Sequence, residues 1–109
     1  MGKLPPEVLE KIEARRGRWS SHAGEFRDAL DLSWDDVIAV ARSASSWKRE
    51  TDELGTAVDG WKDAVVGRDT SGRELYMCGK WVYLRGEHRW YVVTIHQSRA
   101  EKAQRSKRR

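Results

Sequence analysis

The sequence predicts an α+β fold, with N-terminal helices packed on one face of a C-terminal antiparallel sheet of three to four strands. Two observations predict it. Apolar residues recur at three- and four-residue spacing as far as Ser43, and the chain then changes to strand-like runs separated by turn residues. The connectors between the last three runs are also short, which makes those runs antiparallel neighbours. Helices first and strands after segregate into two layers. With 109 residues there is room for one such domain, assigned to residues 1–98, followed by a basic tail at 99–109.

Pro5-Pro6 suits the first turn of a helix, and Val8, Leu9 and Ile12 fall on one face of it, up to an end near Gly17. A second helix is expected from Ala23 to Leu30, where His22, Phe26 and Leu30 share a stripe. Ser33-Trp34-Asp35-Asp36 reads as a capping box, and Trp34, Val37, Ile38 and Ala41 continue a helical face to about Ser43. Trp47–Thr51 is a possible first strand, and 52–60 a loop punctuated by Gly55 and Gly60. Strands are then expected at Trp61–Arg68, Glu74–Leu84 and Arg89–Gln97.

A two-residue turn at Gly86-Glu87 would register the last hairpin, pairing Tyr83 with Trp90, Trp81 with Val92 and Met77 with His96. Val82, Lys80 and Cys78 then face the core with Tyr91, Val93 and Ile95. Lys80 is the misfit, and a bulge at Gly79 would turn it towards the His96 face.

Charged residues make up 35% of the chain, yet six Trp, three Tyr and one Phe suffice for a small core, which argues against global disorder. Cys78 is the only cysteine, so an intrachain disulfide and a cysteine-built zinc site are excluded. No apolar run reaches spanning length, and Met1–Pro6 lacks a signal-peptide apolar region. The expectation is a cytoplasmic protein without a membrane partner. From Arg99 to Arg109 six basic residues stand against one acid, Glu101, so the tail carries +5 of a net +4 and the remaining body −1. Such a tail either attracts polyanions or is simply a solvated end. No HExxH, Gly-rich phosphate loop, nucleophile elbow or CxxC is present, and neither a metal nor a cofactor is expected.

Three stretches carry a resemblance: His22-Ala23 before a short helix; Leu32-Ser33-Trp34-Asp35-Asp36-Val37; and a meander containing 61–68, Leu75-Tyr76-Met77 and 90–96. Over roughly His22 to Gln97 the chain resembles the MqsR-type toxins of the wider RelE/barnase-like ribonuclease group. The resemblance implies a compact α+β fold, metal-independent cleavage of messenger RNA, and a cognate antitoxin as partner. It implies a site of lysine, glutamine, tyrosine and lysine. Lys48 stands near the first lysine, Lys62 where the glutamine would be, Tyr76 near the tyrosine and His96 near the final lysine.

Metal-free RNA cleavage needs a base for the 2′-OH proton, an acid for the leaving 5′-oxygen, and cations for the phosphate charge. His96 is the acid/base candidate, because imidazole ordinarily titrates near pH ~6.5. Lys62, Lys80 and Arg68 are phosphate-binding candidates, each with solvated charge as its alternative. Tyr83 is either a proton donor or the packing partner of Trp90. Trp81 and Trp90 either stack unpaired bases or belong to the core or an antitoxin interface. His22 lies on an apolar stripe and reads as structural or as part of the site; His88 falls at a turn. The leading expectation is a toxin-type endoribonuclease acting on single-stranded RNA. The alternatives are a non-catalytic nucleic-acid-binding module and a protein-interaction subunit.

Overall fold

A computed structural model describes residues 3–98; the basic tail expected at 99–109 lies outside the described residues. The elements run α1 (Pro6–Ala14), β1 (Arg18–Trp19), α2 (Ser21–Leu30), α3 (Trp34–Arg42), β2 (Ser46–Thr51), β3 (Ala57–Arg68), β4 (Glu74–Leu84) and β5 (Glu87–Gln97). The α+β class and the order of layers match the sequence expectation. The sheet has five strands rather than three to four, in the order β1-β5-β4-β3-β2. It is mixed, because the two residues of β1 pair parallel to Tyr91 and Val92 of β5.

The helices form where local chemistry asks for them. Pro5 and Pro6 open α1. Ser20 caps α2, its Oγ accepting from the Ala23 amide at 2.9 Å. At α3 the Ser33 amide donates to Asp36 Oδ2 at 2.8 Å, half of the capping box. Asp36 has a second duty that the sequence did not indicate. Its Oδ1 accepts from the Thr70 amide and hydroxyl at 3.0 and 2.6 Å, fastening the start of α3 to the β3–β4 turn.

The core lies between the helices and one face of the sheet. Val8, Ile12, Val37 and Val40 meet Val65, Leu75, Met77, Trp90, Val92 and Ile95, all of them fully buried. Each such side chain contributes roughly 1.5–3 kcal/mol by leaving water. The Trp34 indole donates to the Ile12 carbonyl at 3.2 Å and ties α3 to α1.

The predicted register of the last hairpin is corrected by one residue. The turn is Arg85-Gly86, with φ of 49° and 83°, and Leu84 pairs with Glu87. Two successive positive φ values are what a tight hairpin turn asks for, and Gly86 meets that demand without strain. Moving the turn by one residue moves each partner on β5 by two, so Trp81, Trp90 and Val92 share a face in either register. It is this face, with Met77 and Gly79, that packs on the helices, while Cys78, Lys80 and Val82, expected in the core, lie on the other. The irregularity expected at Gly79 falls instead on the partner strand. Cys78 pairs with Thr94 and Gly79 with Val92, which leaves Val93 as the extra residue. That bulge reverses the parity of β5, so Ile95 is buried and His96 reaches the helix-free face.

Candidate functional site

The helix-free face of the sheet carries most of the chemistry. Cross-strand pairing sets its side chains in rows. One row runs Ser46, Val66, Tyr76, His96; the next Lys48, Ala64, Cys78, Thr94; the third Glu50, Lys62, Lys80, Tyr91. Of the ten residues singled out from sequence, Lys48, Lys62, Tyr76, Lys80 and His96 share this face.

His96 and Tyr76 pair directly across β4 and β5, and their rings stack at 5.0 Å between centroids. His96 Nδ1 lies 2.7 Å from the Gln97 carbonyl oxygen. A carbonyl only accepts, so the bond puts the proton on Nδ1 and leaves Nε2 as the free lone pair of the neutral ring. Burial pushes the Tyr76 phenol up, reinforced by the neighbouring Cys78 and Glu50, so the hydroxyl remains a donor.

Helix α2 meets the row from beside the sheet, because β1 borders β5 only at Tyr91 and Val92 and leaves β5 an edge at His96. Ser20 donates through its hydroxyl to the Val93 carbonyl at 2.7 Å, which starts α2 against the bulge of β5. Phe26 then reaches the His96 ring at 6.2 Å, and His22 packs on Phe26 edge to face at 5.2 Å. His22, expected on a buried stripe, is exposed; the Phe26 ring is what it covers. Two imidazoles thus flank one phenyl ring, with a phenol behind. Phe26 is the member that sequence reasoning left out of the site, although its spacing from His22 signalled it.

Other expectations are corrected. Lys80 is 4% exposed, and its Nζ donates to Asp52 Oδ1 and Oδ2 at 3.1 and 3.3 Å. Asp52 also accepts from the Thr56 and Ala57 amides at 3.0 and 2.8 Å, folding the β2–β3 loop over that ammonium. Lys80 is a buried ion-pair partner and cannot meet a phosphate. Trp90 is 1% exposed under the helices and cannot stack on a base. Trp81 and Tyr83 lie on the opposite face from His96, beside His88. Arg68 is exposed at the end of β3 and donates to the Gly72 carbonyl at 2.7 Å, away from the imidazoles.

Lys62 and Lys48 stay accessible, Lys48 in a 3.5 Å ion pair with Glu50. Lys62 is two strands and two rows from His96. At ~4.8 Å per strand and ~3.3 Å per residue, their backbones are about 16 Å apart. One phosphate does not span both groups. Cys78 lies between them, with its thiol pushed up by burial; Lys62 counters that shift, while Glu50 and Asp63 add to it. Among the described residues no three His, Cys, Asp or Glu side chains gather as a metal cradle. No helix among them is long and apolar enough to cross a membrane.

Comparison with known proteins returns no matching family model, no matching curated protein and no matching solved structure.

Proposed function

We propose that this protein is a metal-independent endoribonuclease of the toxin type, cutting single-stranded RNA on the helix-free face of its sheet. The observation that carries this reading is the row His22, Phe26, His96, Tyr76. The RelE/barnase-like relationship, a cytoplasmic setting and a cognate antitoxin belong to the same proposal and rest on the sequence resemblance.

The chemistry follows from the groups present. The free Nε2 of His96 takes the proton of the ribose 2′-OH. That oxygen attacks phosphorus, the P–O5′ bond breaks, and a 2′,3′-cyclic phosphate and a 5′-OH result. The leaving oxygen needs a proton, which the His22 imidazolium or the Tyr76 phenol supplies. Phe26 gives an unpaired base a surface to stack on. Lys62 and Lys48, too distant for the scissile phosphate, attract neighbouring phosphates of the same strand.

The direct test is incubation of the purified chain with single-stranded RNA in EDTA, followed by end-group analysis. Cyclic phosphate ends that vanish with His96→Ala support the reading. Intact RNA, or cleavage that His96→Ala leaves at full rate, removes it.

A further inference from the structure

Tryptophan, histidine and arginine also gather on the far side of the molecule. His88 stacks on Trp81 at 5.8 Å with the planes only 11° apart, and the Tyr83 ring meets it edge-on at 4.9 Å. Tyr83 is 59% exposed, while Trp81 is half-buried against the core with Lys11 Nζ 5.7 Å from its ring centroid, so the ledge stands on a fixed base. Beside it lies an open hollow of about 520 Å³, bounded by Ala14, Arg15, Trp81, Glu87 and His88. A second hollow of about 400 Å³ adjoins the same chain segment, lined by Arg16, Gly17, Arg18, Trp19 and Arg27.

The segment between the two hollows, 15–18, is held against the β4–β5 hairpin. Arg89 donates to the Arg16 carbonyl at 2.6 Å, and Arg15 pairs with Glu87 at 2.8 Å. Glu87 also pairs with Arg89, and these two guanidinium groups hold its carboxyl below the usual range. One carboxylate is thereby shared between two arginines. Arg16, Arg18 and Arg85 are exposed and pair with no carboxylate among the described residues. The result is a cationic cleft of two hollows about the segment 15–18, the stacked rings walling the one with Arg15, and Arg16 and Arg18 lining the other.

We infer that this cleft is a second contact site for single-stranded RNA, separate from the imidazole row. Phosphates would meet the forked guanidinium groups of Arg16, Arg18 and Arg15, and an unpaired base would extend the His88–Trp81 stack. Arginine suits this task because its fork matches phosphate oxygens and its plane stacks on rings. The rigid stack favours a strand with free bases over a duplex, whose bases are already stacked. An acidic protein would answer to the charges but has no use for the stacked ledge. The inference rests on RNA being the ligand in the preceding proposal, and it adds where the strand is held away from the point of cleavage.

The test uses the full chain and a fluorescein-labelled 2′-O-methyl oligoribonucleotide, which cannot be cut. Arg16→Glu/Arg18→Glu should weaken binding at least tenfold and flatten the salt dependence by about 1.4 in log–log slope, ~0.7 for each lost phosphate contact. Lys3→Glu/Arg42→Glu makes the same change of net charge at other exposed positions and should leave binding nearly intact. His88→Ala should cost about tenfold through lost stacking, and the His88 imidazole resonances should shift on titration. Equal affinity of the Arg16/Arg18 variant and the parent chain overturns the inference. So does an equal loss in the two charge-matched variants, or binding of polyglutamate in place of the oligonucleotide. The parent chain itself separates the two readings: one that binds the oligonucleotide through the cleft but never cuts natural RNA refutes the nuclease alone.

Discussion

The His96 imidazole lies on the Tyr76 ring with an interplanar angle of 23°, directly across the β4–β5 ladder, while Nδ1 is engaged by the Gln97 carbonyl. Stacking and hydrogen bond together fix the plane of the imidazole and the nitrogen left open. Tyr76→Phe keeps the stack and removes only the hydroxyl. Single-turnover cleavage should fall roughly tenfold with an unchanged KM. His96→Ala should lower it by ~10²–10⁴, the usual worth of a general acid or base. Equal losses from the two variants would mean that Tyr76 moves the proton itself.

The buried pair Lys80–Asp52 makes an asymmetric prediction. Asp52→Ala strands an ammonium with no compensating charge, and it also frees the Thr56 and Ala57 amides. A loss of about 3–5 kcal/mol in urea unfolding is expected. Lys80→Met leaves Asp52 two amide donors and should cost only about 1–2 kcal/mol. The reverse order would contradict the loop-anchoring role of Asp52.

Acid should unfold the protein through two carboxylates. Burial pushes Asp52 and Asp36 up, but their hydrogen bonds outweigh it. Ala57, Lys80 and Thr56 donate to Asp52, and Thr70 and Ser33 to Asp36, so both end below the ordinary value. A depressed folded value means stability that is complete above the unfolded Asp value of ~3.9 and lost as the pH falls through the folded one. Chemical denaturation midpoints should decline below about pH 4, and Asp36→Asn should decline less steeply from a lower plateau.

Gly79 sits under the Trp90 indole, and a Cβ there would lie 2.5 Å from Nε1. Gly79→Ala should cost about 1–3 kcal/mol, as overpacking does. The near-ultraviolet circular dichroism of the tryptophans should change with it. An unaltered spectrum and midpoint would mean that the strands part more easily here than the packing implies.

How far the sequence could be read follows from these same residues. Helical stripes and the Ser33–Asp36 box are local signals, and they located α1 to α3 to within a few residues. β1 was not legible, because two residues carry no period and exist as a strand only by pairing with β5. The choice between Arg85-Gly86 and Gly86-Glu87 set the hairpin partners two residues off, while the apolar Cys78, Val82, Tyr91 and Val93 marked the wrong face of β4 and β5 as the core. His96 was still assigned to the open face, because the Val93 bulge offset the inverted choice of core face. Lys80 lost its expected role to Asp52, a partner 28 positions away that no spacing announces. Arg15 shares a hollow with Trp81 and His88 only in three dimensions, and Arg16 and Arg18 share theirs with Arg27 in the same way, which no spacing in the sequence announces.

The imidazole row is the centre of the proposed cleavage. The deciding measurement is the yield of 2′,3′-cyclic phosphate ends from single-stranded RNA in EDTA, for the parent chain, His96→Ala and His22→Ala. Product is expected from the parent chain, almost none from His96→Ala, and a reduced amount from His22→Ala with affinity preserved. Identical yields from all three proteins, or none from the parent chain under conditions where it binds RNA, would contradict cleavage at this row.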